Sequence, residues 1–122
     1  MSQLPVKIMV TQGLQLILLQ PQGRLDVEGG KSLEKKMAGL VPQVHELWVF
    51  DLAQVDFMDS SGLVALITGL KVARESSCRL VLCNVQAPVR LVFELTQLDS
   101  VFEIFESYDA VLTTVNLPVL VA

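Results

Sequence analysis

The chain has 122 residues, enough for one domain that buries a real core without a disulfide or metal staple. Hydrophobic residues make up 52% and charged residues 18%, a balance that fits a well-covered sheet with some apolar surface kept for a partner. A net charge of −4 excludes the basic stripe of a nucleic-acid binder, and no apolar run approaches the ~20 residues of a membrane span. Met1-Ser2-Gln3-Leu4-Pro5 has neither the basic nor the apolar region of a signal peptide, so a cytoplasmic location is expected. Cys78 and Cys83 are not spaced as C-x-x-C and have no histidine nearby, so they read as small core hydrophobes in a reducing compartment.

In chain order, Pro5 to Val10 predicts a first strand and Thr11-Gln12-Gly13 a turn. Leu14 to Leu19 predicts a second strand that pairs back as a hairpin. Pro21 to Gly23 bends the chain, and Arg24-Leu25-Asp26 leads into a loop ending at Gly29-Gly30. A helix follows over Lys31 to Val41, with Leu33, Met37, Leu40 and Val41 at helical spacing and Pro42 as its stop. Leu47 to Leu52 is apolar enough for a strand covered on both faces, joined to its neighbour by a right-handed parallel crossover.

After a connector ending in Asp56-Phe57-Met58, a helix begins near Ser60, capped by Ser60 or Asp59. Leu63, Leu66, Ile67, Leu70 and Ala73 are its expected core stripe, with Val64, Ala65, Thr68 and Val72 on the opposite face. Leu80 to Cys83 predicts another strand, and Pro88 fits the first turn of a third helix. Leu91, Phe93, Leu95 and Leu98 are expected to supply apolar bulk there. Phe102 to Phe105 predicts a short last strand and Tyr108 to Val115 a final helix, broken at Asn116-Leu117-Pro118. The apolar tail from Pro118 to Ala122 packs on the body or on a second copy, which leaves a homodimer open. The order β-β-α-β-α-β-α-β-α is that of an α/β domain with a central mixed sheet.

Asp59-Ser60-Ser61-Gly62 sits where a strand end meets a helix start, the usual place for functional groups in an open α/β sheet. The plainest role there is a helix cap, worth about 1 kcal/mol. A serine nucleophile needs a base within hydrogen-bond reach, and the only histidine, His45, precedes the strand at its far end. No G-x-S-x-G elbow is present, so no enzyme is expected. Gly23, Gly29 and Gly30 form neither a P-loop nor a G-x-G-x-x-G segment. The remaining role is a phosphorylation switch, since a helix N-terminus tolerates a phosphate dianion.

Asp56-Phe57-Met58-Asp59-Ser60-Ser61-Gly62-Leu63 resembles the signature of the STAS domain, in particular of bacterial anti-sigma factor antagonists. Gly23-Arg24-Leu25-Asp26 resembles the family's glycine-x-leucine-aspartate segment. Leu47 to Leu52, Arg79 to Asn84 and Pro88 to Phe93 resemble its core strand, late strand and following helix. The resemblance implies one STAS domain over residues 1–122, with a mixed sheet of about five strands and about four helices mainly on one side.

The resemblance also implies partner switching. The unphosphorylated antagonist binds an anti-sigma factor that is a serine kinase; the kinase phosphorylates Ser60 and is released, and a serine phosphatase resets the chain. Ser61 is then the neighbouring hydroxyl, Asp26 and Asp59 shape docking or phosphate transfer, and the kinase brings the ATP and magnesium, so no cofactor is expected. Gly62 belongs to the same motif, whereas Val64 stands where the family often has glycine. Val27-Glu28-Gly29-Gly30 is more acidic than the corresponding segment of many members. The alternative is a STAS scaffold or ligand-sensing module that works without phosphorylation in another signalling or transport complex.

Overall fold

The computed structural model of the chain describes residues 6–11, 14–40 and 46–121. The two leading apolar runs form β1 (Val6–Thr11) and β2 (Leu14–Leu19), antiparallel with Val6 opposite Leu19. Then come β3 (Gly23–Leu25), α1 (Val27–Ala38), β4 (Leu47–Asp51), β5 (Val55–Met58), α2 (Ser60–Glu75), β6 (Arg79–Cys83) and α3 (Ala87–Leu95). A 3-10 turn at Leu98–Ser100 leads to β7 (Glu103–Phe105) and α4 (Tyr108–Val121). The main sheet has the order β1-β2-β4-β6-β7, parallel everywhere except the opening hairpin. This is the mixed five-stranded sheet expected from the sequence. The expected strand start at Pro5, the turn residues Gln12 and Gly13, and Val41, Pro42 and His45 lie outside the described residues.

Strand periodicity of two divides the core into layers. Ile17, Leu19, Trp48, Phe50, Leu80 and Leu82 point to the face covered by α1, α2 and α3. Leu16, Leu18, Leu47, Val49, Val81 and Cys83 point to the other, where Val111 of α4 is buried among them. Both faces of β4 are thus dry, which explains its unbroken apolar run. Each of its fully buried side chains contributes roughly 1.5–3 kcal/mol. The Phe93 ring meets Phe102 edge to face, with centroids 5.5 Å apart. One carboxylate is interred with this core. Glu46 is 3% exposed and accepts from Gln15 Nε2 and Trp48 Nε1, each at 2.6 Å. These two hydrogen bonds compensate its burial.

Several sequence expectations need correction. The loop expected through Gly30 is the first turn of α1, because Asp26 caps that helix and starts it at Val27. The connector before the central motif is β5, which pairs with β3 as a second, two-stranded parallel sheet. Ile67 is 39% exposed, while Ala65, placed on the outer face, is fully buried. The buried face of α2 is turned toward α1 because Gly69 and Met37 bring the two helices into contact. In α3, Val89 and Phe93 are buried, whereas Leu91 and Leu95 are exposed. The break expected at Asn116-Leu117-Pro118 does not occur, and the backbone stays helical to Val121.

Candidate functional site

The small parallel sheet sets the site. Leu25 at the end of β3 lies opposite Met58 at the end of β5, so the next residues, Asp26 and Asp59, emerge side by side. Both have extended backbone, and each caps the helix that follows. Asp26 Oδ1 accepts from the Gly29 amide at 3.0 Å. Asp59 Oδ1 accepts from the Ser61 and Gly62 amides at 2.9 and 3.2 Å. The Asp59 amide donates to the Leu25 carbonyl at 3.2 Å and ties the two turns together. Of the two residues expected to cap α2, Asp59 does so, and Ser60 becomes the first helical residue.

That division leaves both hydroxyls uncommitted. Ser60 is exposed and Ser61 half-buried, and neither hydroxyl makes a hydrogen bond among the described residues. They open into a groove of about 290 Å³ between α1 and α2. Val27, Gly30, Lys31 and Glu34 line one wall; Ser60, Ser61 and Val64 line the other. The spacing 27, 30, 31, 34 is one face of a helix. Two glycines permit the close approach. A Cβ on Gly30 would stand 3.1 Å from the Ser61 carbonyl oxygen, and one on Gly62 would collide with the backbone of Leu25.

The rim is charged unevenly. Arg24 lies over the Phe57 ring, 3.8 Å from its centroid, and pairs with Asp26 at 3.5 Å. The Gly29 amide, with help from Arg24, holds the Asp26 carboxyl below its usual range. Val27 and Val64 are 52% and 55% exposed beside the groove. Elsewhere on the outer face of α2, Thr68 and Val72 are exposed as expected.

The structure therefore brings Asp26, Asp59, Ser60, Ser61, Gly62 and Val64 to one end of the molecule. Lys31 and Glu34 were not singled out by sequence. Their signal was the helical spacing from Val27, hidden by the loop-like Gly29-Gly30 pair. The two thiols are far from nucleophilic. Burial, reinforced by Glu46 near Cys78 and by Asp51 near Cys83, pushes both up to about 12. Among the described residues no helix is long and apolar enough to cross a membrane.

A family model described as the STAS domain matches residues 7–111. A Bordetella bronchiseptica protein named as an anti-sigma factor antagonist, BtrV, is 32% identical over 89 residues, covering 73% of this chain and 77% of that protein. Among solved structures, a sulfate transporter family protein from Wolinella succinogenes superposes with a TM-score of 0.76 at 15% identity, covering 92% of each chain. The Bacillus cell fate determinant SpoIIAA in its phosphorylated form superposes with a TM-score of 0.61 at 21% identity, covering 89% of this chain and 96% of that one. At these identities the solved structures speak for the fold.

Proposed function

The chain belongs to the STAS domain family, and we propose that it works as an anti-sigma factor antagonist switched by phosphorylation of Ser60. The observation that carries this reading is the exposed, uncapped Ser60 hydroxyl at the first position of α2, beside a groove with an apolar rim. Asp59 already satisfies the first amides of the helix, so modifying Ser60 leaves the cap intact. SpoIIAA, similar in fold, is known in unphosphorylated and phosphorylated forms.

Unphosphorylated, the chain docks an anti-sigma factor with serine kinase activity on the α1–α2 face, through Val27 and Val64. The phosphoryl group adds up to two negative charges beside Glu34, desolvates poorly, and ends docking. A cytoplasmic serine phosphatase restores the hydroxyl. The chain itself catalyses nothing and brings no cofactor to this cycle.

The test begins with intact mass and peptide mapping of the chain from its native host, with and without phosphatase. One phosphoryl group on Ser60, removed by phosphatase and absent from Ser60→Ala, is the expected result. Ser60→Ala should also retain the kinase in a pull-down from the same cells. No phosphorylation under any growth condition, nor with co-purifying kinases and ATP, would move the function to a second reading. That reading is an unmodified STAS scaffold in a transport complex, in keeping with the fold shared with a sulfate transporter family protein.

A further inference from the structure

We propose that Lys31 is the phosphate-holding residue of this chain, its ammonium closing on a phosphoryl group at Ser60 across the α1–α2 groove. The inference rests on the reading of Ser60 as the modified residue and assigns the modified side chain a specific resting place.

The two helices run parallel. Gly30 lies against Ser61 and Ala65, and one or two turns on, Met37 lies against Gly69. Both therefore begin at the same end, fed by the parallel strands β3 and β5. Side chains on a helix lean back toward its N-terminus. Lys31, in the second turn of α1, thus reaches back toward the end where Ser60 stands. Both residues line the same groove, and Gly30 lets the two helices approach closely there. Lys31 takes part in neither of the two ion pairs among the described residues. Arg24, another cation at this end, is stacked on Phe57 and paired with Asp26.

The other charges near the groove decide the sign. Glu34 lines it one turn beyond Lys31 and repels a phosphate. Asp26 and Asp59 are turned to their own helix amides. Glu28 is exposed on the first turn of α1, away from the lining face. Lys31 is therefore the attractive partner, and Glu34 the repulsive one. A phosphate drawn inward by Lys31 fills the space between Val27 and Val64, so the modified chain excludes a partner by occupancy as well as by charge.

The experiment places phosphoserine at position 60 by suppression of a stop codon, so no kinase is needed. The second ionisation of the phosphate is then followed by phosphorus NMR against pH. Lys31→Gln should raise that pKa by about 0.5, the size expected of one charge a few ångströms away in a wet groove. Lys31→Arg should restore the wild-type value. Glu34→Gln should shift it the other way. Lys35→Gln, an exposed lysine on the same helix outside the groove lining, should leave it unchanged. Equal pKa values in wild type and Lys31→Gln, or equal shifts from Lys31→Gln and Lys35→Gln, would overturn the assignment. Failure of native kinases to modify Ser60 would count against the proposed function and leave this titration unaffected.

Discussion

Asp26 divides its carboxylate between the Gly29 amide and the Arg24 guanidinium. Both favour the charged form, so its pKa in the fold lies below the ordinary 3.8. A depressed carboxyl contributes stability that is present above its unfolded pKa and lost as pH falls through the folded one. Asp26→Asn still offers a capping oxygen. It should therefore keep the helix at neutral pH while flattening the part of the acid limb below 3.8. Urea midpoints across an acid series check this, and an unchanged acid limb would assign Asp26 no electrostatic part. At this scale the sequence marked Asp59 as a cap candidate and Ser60 as the start of a helix, but it read Asp26 into a loop and not as the cap of α1. It was silent on Lys31 and Glu34, whose meaning depends on which helix lies opposite. Glu46 was likewise invisible, because only folding supplies Gln15 and Trp48 as its donors.

Between elements, the contact of α1 with α2 and of α2 with β3 depends on glycines of unequal tolerance. A methyl at position 62 meets the backbone of Leu25, which is anchored by the Asp59 amide and cannot yield. Gly62→Ala should therefore destabilise the domain by about 3 kcal/mol, the upper end for overpacking. At position 30 the nearest atom stands 3.1 Å away, and alanine gains roughly 1 kcal/mol of helix propensity. Gly30→Ala should accordingly be close to neutral, and denaturant midpoints of the two variants compare them directly. The long elements declared themselves through period and length, β4 above all. The short strands β3 and β5 did not, because three or four residues carry too little alternation to tell from a connector. Helix faces were misjudged at Ile67, Leu91 and Leu95 for a related reason. Hydrophobicity shows that a helix packs, but the angle of its buried stripe is set by neighbours that sequence does not name.

Across the whole molecule, one sheet separates two cores, and one thiol lies in each. Cys78 packs with the layer under α1, α2 and α3, and Cys83 with the layer under α4. With both thiols buried and held up to about 12, labelling at neutral pH needs opening of the structure. If the domain unfolds as one unit, the two cysteines should react at equal rates with a thiol reagent in mild denaturant. Faster labelling of Cys83 would mean that α4 detaches first. The sealed interior also determines what light can report. Trp48 is the chain's only tryptophan, has no exposed surface, and has its indole N–H fixed by Glu46 near the opposite end of β4 from the strand ends that carry the switch. Its emission should stay blue and constant whether Ser60 carries a hydroxyl or a phosphate, and move red only when the core is breached. In a mixture with a tryptophan-bearing partner, any change in fluorescence short of unfolding then belongs to the partner, and this chain is a constant background against which association can be watched.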